Sequence, residues 1–231
     1  MTQREPSVVY RYHDGLYVNL TNRCSTACAF CIKNSWKMDY RGHSLDLRGK
    51  EPSAAEVLGL AAAEWLAAPF AELVFCGYGE PTMRLPELLE VARAVRAGAA
   101  APLPKNLRIR LNTNGLANAV WGRDTAPELK GLVDSAHVSL NTADPELWLK
   151  LMRPRPEYAA LGFEKVKEFI RSAAACLPEV FATAVEGGTD LEKFRALAAE
   201  LGARPRIRPR LDPSDPDAGA SGGGAGGRRP A

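Results

Sequence analysis

The feature that most constrains this fold is an alternation repeated along the chain, in which a short apolar run is followed by a stretch whose apolar residues recur at helical spacing. The runs are Leu16 to Leu20, Glu72 to Cys76, Leu107 to Leu111, Ala136 to Leu140, Val180 to Val185 and Arg206 to Leu211. Helix signals with identifiable ends lie between them. Ser53 and Glu56 make a capping box ahead of Val57, Leu58, Ala61, Trp65 and Leu66, and Pro69 stops that helix. Pro86 opens the next, and Gly98 closes it in the position that favours a left-handed residue. A short helix is predicted near Ala126 to Lys130, one capped by Asp144-Pro145, a longer one over Phe163 to Cys176, and a last one after the capping box Thr189 to Glu192, ended by Gly202. Such alternation gives a parallel sheet with right-handed crossovers. A chain of 231 residues with these units falls short of a closed eight-stranded barrel, which typically takes about 250. The expected fold is therefore α/β, a partial, open (β/α)6 TIM-type barrel.

Strand parity gives the character of its interior. If Leu107, Ile109 and Leu111 face the helices, Arg108, Arg110 and Asn112 face inward; the same rule sends His137, Ser139 and Asn141, and Tyr17, Asn19 and Thr21, into the lumen. Closed barrels are filled by apolar layers, so a polar lumen implies water or a ligand inside.

The chemistry-bearing stretch is Cys24-Ser25-Thr26-Ala27-Cys28-Ala29-Phe30-Cys31, directly after the first run. Thiolate is a soft ligand suited to iron or zinc. A closed structural zinc site takes four protein ligands. The chain has five cysteines and no second Cys or Cys/His pair, so a zinc knuckle would need the distant His13 or His43. A four-iron cube on three thiolates leaves one iron open for a small molecule.

This CxxxCxxC spacing, with an aromatic residue just before the last cysteine, resembles the signature of the radical S-adenosylmethionine (SAM) superfamily. The resemblance covers most of residues 16 to 211. It implies a [4Fe-4S] cluster on Cys24, Cys28 and Cys31, SAM on the open iron and Phe30 near the adenine. Gly77-Tyr78-Gly79-Glu80-Pro81 is similar to the superfamily's GGEP-type motif, whose backbone receives the SAM amino group, with Tyr78 in place of the usual second glycine. Asn114, Ser139 and Asn141 inherit further SAM contacts, and Glu186 is a candidate for the amino group or a substrate. The resemblance thus implies an enzyme. Its reduced cluster would cleave SAM to methionine and a 5′-deoxyadenosyl radical that abstracts hydrogen from a small-molecule or peptide substrate, with a flavodoxin- or ferredoxin-type one-electron reductant as partner. Leu151-Met152-Arg153-Pro154, the compact length and the Arg-Pro-rich last strand look most like the radical SAM proteins encoded beside TatD-type nucleases, a group without an assigned reaction. Glycyl-radical-enzyme activases and 7-carboxy-7-deazaguanine synthases are alternatives. A zinc-bound nucleic-acid or protein-interaction module is the alternative of a different class.

Hydrophobic residues at 46% suffice for a core, and a net charge of +3 spread through the chain gives no basis for a nucleic-acid or membrane partner. With no apolar h-region near the start and no run able to span a bilayer, a cytoplasmic location is expected, where thiols stay reduced. Cys76 and Cys176 read as buried structural thiols, too few to build a second cluster. Residues 1–15 read as a lead-in, 16–211 as the core domain and 212–231 as a disordered Gly/Ala/Arg-rich tail. Lys33 to Glu51, polar and dotted with aromatics, is long enough to be functional.

One further pattern concerns the substrate. Arg204, Arg206, Arg208 and Arg210 alternate with Pro205, Ile207, Pro209 and Leu211, so the arginines share a face if the segment is extended. Should Ile207 and Leu211 face the helices, the arginines enter the lumen beside Arg108 and Arg110, making Arg110, His137, Arg206 and Arg208 candidate contacts to an anionic substrate. The competing role is an edge strand protected by charge and proline. His137 is a possible proton donor there or simply a hydrogen-bonded interior histidine.

Overall fold

The structure is a computed structural model that describes residues 4–211; the tail expected at 212–231 lies outside the described residues. Along the chain run β1 (Val9–Tyr12), β2 (Gly15–Val18), α1 (Ile32–Ser35), β3 (Asp39–Tyr40), β4 (His43–Ser44), α2 (Ala54–Ala67), β5 (Glu72–Phe75), α3 (Leu85–Ala97), β6 (Arg108–Thr113), α4 (Ala117–Trp121), β7 (Ser135–Ser139), α5 (Pro145–Met152), α6 (Pro156–Ala159), α7 (Gly162–Cys176), β8 (Glu179–Val185), α8 (Leu191–Glu200) and β9 (Arg204–Arg208). Seven strands form one sheet in the order β1-β2-β5-β6-β7-β8-β9. From β2 to β9 every neighbouring pair is parallel, which carries the six expected strands in the expected arrangement. The ends do not pair with each other, so the sheet is open.

Its curvature shows in groups brought toward one another across several strands. β5 and β9 are four strand spacings apart, roughly 19 Å in a flat sheet. Yet the Arg208 guanidinium and the Cys76 thiol act on each other electrostatically, and Arg208 also reaches Ser139 across β8. The sheet therefore curls around a lumen, with the helices outside. Leu16, Val18, Leu73, Phe75, Ile109, Leu111, Val138, Ala182 and Ala184 are buried on the outer face against Val57 of α2, Leu88 and Val95 of α3, Phe169 and Ile170 of α7, and Phe194 of α8. Period-two alternation in the strands meets period-3.6 alternation in the helices, and both sets of apolar side chains are consumed in one core.

Three local features differ from the expectations. The lead-in contains β1, antiparallel to β2 with Tyr10 opposite Tyr17. Arg11 obscured its alternation; the guanidinium folds back onto the Glu64 carboxylate at 2.7 Å and caps α2 carbonyls. The polar Lys33 to Glu51 stretch, for which no regular element is predicted, carries most of α1 and the β3–β4 hairpin, which delivers Tyr40 and Leu45 to a second apolar cluster with Tyr10 and Tyr78. In α8 the cap is Asp190 rather than Thr189: its carboxylate accepts from the Glu192 and Lys193 amides at 3.1 Å each. The Ser53 and Asp144 caps and the left-handed Gly98 and Gly202 are as expected. No helix among the described residues is long and apolar enough to cross a membrane.

Candidate active site at the carboxyl ends of the parallel strands

The cysteine loop follows β2 and lies over the end of the lumen where ligands bind in parallel α/β sheets. Three sets of contacts fix it. Asn114, just past β6, donates from Nδ2 to Ser25 Oγ at 2.8 Å and lies 3.7 Å from Cys24 Sγ. Thr26 Oγ1 sits between Cys24 Sγ at 3.4 Å and Cys28 Sγ at 3.3 Å. The segment after α5 then pairs with the loop as a short antiparallel strand: the Ala29 amide donates to Leu151 O at 2.8 Å, Ala27 to Arg153 O at 2.9 Å, and Arg155 to Ser25 O at 2.9 Å. Met152 Sδ lies 3.9 Å from Cys28 Sγ and 3.1 Å from Asn141 Nδ2. Ser25, Thr26 and Met152 went unnoticed as site residues in the sequence. The Leu151–Pro154 spacing was the one signal that could have found this pairing.

Among the described residues no three His, Cys, Asp or Glu side chains are gathered to hold a single ion. Thiolates on a cube bind different iron atoms and stand further apart than ligands sharing one ion. His13 lies in the exposed β1–β2 turn and His43 in the β3–β4 hairpin against Tyr10, away from a common ligand set. Burial pushes the Cys24 thiol above its ordinary range and the Cys28 thiol up to about 11. Such sulfurs become thiolates when a bound cation compensates them, so three soft donors on one loop fit an iron–sulfur cube.

The glycine motif after β5 braces this loop. A Cβ on Gly77 would collide with the Asn19 side chain, and one on Gly79 with the backbone carbonyls of Thr21 and Arg23. Glycine is needed here for loop-on-loop packing, a second reason beside the ligand approach inferred from the motif. Asn19 Oδ1 accepts from the Tyr78 amide at 3.3 Å, and the Glu80 amide donates to Arg23 O at 2.9 Å. The Tyr78 ring turns into the aromatic cluster, its hydroxyl donating to Asp39 O at 2.6 Å. Glu80 is buried, and its carboxylate accepts from Thr113 Oγ1 and the Asn114 amide, both at 2.7 Å, and from Thr82 Oγ1 at 2.8 Å. Burial raises its pKa and these hydrogen bonds oppose the rise. Glu80 thus ties the β5 loop to the β6 end, and Asn114 passes that tie to the cysteines.

On the opposite wall, Asn141 occupies a left-handed conformation at φ 65°. Its Oδ1 accepts from the Val185 amide at 3.2 Å and its own amide donates to Thr183 O at 2.9 Å, stitching β7 to β8. Asn141, Phe30, Leu151, Val185 and Glu186 line a pocket of about 80 Å³. Ser139 is half-buried on the lumen face. A larger cleft, about 870 Å³, lies against Cys24 and Thr26 and is bordered by Arg23, Lys33, Arg153 and Arg155.

Below the loop the lumen is polar, as parity required. Arg110 donates to Glu72 Oε1 at 2.5 Å, to the Tyr17 hydroxyl at 2.9 Å and to Asn112 at 3.1 Å. His137 packs edge-on against Phe181 with ring centroids 4.8 Å apart. Burial, with Arg110, Arg206 and Arg208 around it, drives its pKa down to about 3. The β9 arginines lie on the lumen face, where Arg204 covers the Phe181 ring and Arg208 points to Ser139. β9 is also an edge strand, so the two roles considered for it coexist. Arg108 shares the face of Arg110 but sits at the amino end of the strands, exposed and paired with Glu179. Cys76, read as structural, proves to be a lumen thiol between Asn112, Arg110 and Arg208.

Comparison with known proteins agrees with this geometry. The chain is 29% identical over 213 residues to the probable GTP 3′,8-cyclase of Methanopyrus kandleri, covering 83% of this chain and 58% of that protein. It is 28% identical over 156 residues to molybdenum cofactor biosynthesis protein 1 of Drosophila melanogaster, covering 68% and 24%. The chain therefore spans under two thirds of the length of these relatives. Streptococcus suis SuiB, solved with its precursor peptide SuiA, superposes with a TM-score of 0.62 at 15% identity, over 88% of this chain and 40% of that one. Methylornithine synthase (PylB) superposes with a TM-score of 0.54 at 17% identity, over 89% and 56%. These likenesses establish the partial-barrel fold. The model of the radical SAM superfamily, whose members use a [4Fe-4S] cluster and SAM, matches residues 18–200, and the chain belongs to that superfamily.

Proposed function

We propose that Cys24, Cys28 and Cys31 hold a [4Fe-4S] cluster at the mouth of the lumen and that SAM binds beside it, toward Phe30, Asn141 and Glu186. When bound, these groups supply a single chemistry, one-electron cleavage of SAM to methionine and a 5′-deoxyadenosyl radical that takes hydrogen from a substrate. The protein's part is placement and dryness. Asn114, Thr26 and the Leu151–Arg155 pairing hold the cysteine loop rigid. The tyrosines of β1, β2 and the β3–β4 hairpin pack around one side of the lumen with ring centroids 5.4 to 5.7 Å apart, and exclude water from a reactive intermediate. The observation that carries this reading is the clamping of the three-cysteine loop over a polar lumen.

The basic cleft beside Cys24 suits an acidic one-electron reductant of flavodoxin or ferredoxin type. We further propose kinship with the TatD-nuclease-associated radical SAM proteins, on the Leu151–Pro154 spacing, the compact length and the Arg-Pro-rich last strand, with the activases and the deazaguanine synthases as the alternatives. The substrate is a small molecule or a peptide segment that enters the lumen. Metal analysis tests the assignment against the zinc module: anaerobically purified protein should carry iron and acid-labile sulfide, whereas about one zinc in a colourless preparation would overturn it.

A further inference from the structure

We propose that Arg208, with Arg206 beside it and Arg110 and His137 on the facing strands, binds a carboxylate or phosphate group of the substrate inside the lumen. The inference rests on the reading of the lumen as the chamber of a SAM-dependent enzyme and adds the chemical class of what enters it.

Arg208 is the odd member of the lumen-side arginines. Arg110 is matched by the Glu72 carboxylate and the Tyr17 hydroxyl, and Arg204 and Arg108 share Glu179. Arg208 forms no ion pair among the described residues. Its Nε is buried with no hydrogen-bond partner, and Nη2 reaches only Ser139 Oγ at 3.5 Å. The groups that act on it are a like charge, Arg206, and the thiols of Cys76 and Cys28. Burying a guanidinium without a counter-charge is costly, and a protein keeps such a group when an anion completes it. Edge protection alone gives no account of this side chain, because a charge that guards a strand edge does so from solvent.

Geometry supports the same reading. Arg206 is level with Thr183 and Arg208 with Val185, so the β9 stripe climbs toward the pocket that Phe30 and Asn141 line. An anion held on the Arg208 fork would fix one end of a substrate while its other end lies under the cysteine loop. The planar guanidinium presents paired donors that match the oxygens of a carboxylate or phosphate. His137, neutral with Arg110, Arg206 and Arg208 around it, can offer the anion a ring N–H.

The experiment uses the full chain, cluster-reconstituted under argon, with inorganic pyrophosphate and citrate as probes and calorimetric titration plus thermal shift as readouts. SAM affinity is measured on the same samples. The wild-type protein should bind a probe and melt higher with it. Arg208→Gln should weaken that binding roughly 10- to 100-fold, the worth of a charged hydrogen-bonded contact, and Arg208→Lys, which keeps charge without the fork, should fall between. Should Arg208→Gln not fold, Arg208→Lys and protection of wild-type Arg208 from phenylglyoxal by the probe, mapped by mass spectrometry, decide the matter. Loss of SAM affinity in step with probe affinity would overturn the proposal by assigning the fork to the SAM carboxylate. Failure of both probes to bind wild type, or unchanged binding by Arg208→Gln, would overturn it too. Arg208-dependent probe binding by a chain that takes up neither cluster nor SAM would uphold the anion site while sinking the enzyme reading beneath it.

Discussion

Asn114 Nδ2 and Ser25 Oγ meet at 2.8 Å, so the carboxyl end of β6 holds the cysteine loop by a residue placed between two of its sulfur-bearing turns. Besides the SAM contact that the resemblance implies for it, Asn114 braces the loop, and its Oδ1 accepts from the Leu116 amide at 3.0 Å. Asn114→Ala should cost about 1–3 kcal/mol of stability, as for a buried hydrogen-bonding group removed, and should lower iron uptake more than it lowers helicity. Urea unfolding and iron counting on the same preparation check this. Unchanged iron content in a fully folded variant would mean that the link is incidental.

The cysteines should separate cleanly. Alanine at Cys24, Cys28 or Cys31 removes the cluster, while alanine at Cys176, half-buried at the end of α7, leaves it. Cys76→Ala also retains the cluster although its thiol lies in the lumen. Iron and sulfide assays after anaerobic reconstitution give the answer, and a full four-iron complement in Cys28→Ala would refute the ligand assignment.

Two glycine substitutions should move stability in opposite directions. Gly79→Ala drives a methyl into the Thr21 carbonyl and should cost at least about 1–3 kcal/mol, the range for an overpacked site. Gly59 lies inside α2 with nothing near its absent Cβ, and Gly59→Ala should add about 0.8–1 kcal/mol by helix propensity. Chemical denaturation midpoints measure both.

His137 sets a pH dependence whose sign follows from its surroundings. Its folded pKa of about 3 lies below the 6.5 of an unfolded chain, so between these values the unfolded state binds the extra proton. The contribution is complete above about pH 6.5 and is lost as pH falls toward 3, by at most about 5 kcal/mol at 1.36 kcal/mol per unit. His137→Gln should therefore lose less stability than wild type between pH 6.5 and 4. Parallel wild-type and variant curves would place the imidazole in solvent.

Legibility followed the physics of each signal. The six parallel strands could be read because apolar alternation and explicit caps such as Ser53, Asp144 and Gly98 are local. Parity placed Arg110 and His137 on the lumen face for the same reason, and Arg208 there on the condition that Ile207 faces the helices. What escaped was set by contacts distant in sequence. β1 owes its strand to pairing with β2, and Arg11 in its middle is neutralised by Glu64, more than fifty residues away. The Leu151–Arg155 pairing with the cysteine loop is made by backbone groups, so the Leu151–Pro154 spacing marks the segment without showing what it pairs with. The bracing role of Glu80, whose carboxylate accepts from Thr82, Thr113 and Asn114, joins three residues by contacts that only the tertiary structure reveals.

The most direct test of the central claim is product analysis of the reconstituted protein incubated anaerobically with SAM and dithionite. The account expects 5′-deoxyadenosine and methionine in equal amounts, at a slow rate without substrate, and none from Cys28→Ala. Absence of deoxyadenosine from wild-type protein with an intact, reduced cluster and demonstrated SAM binding would contradict it.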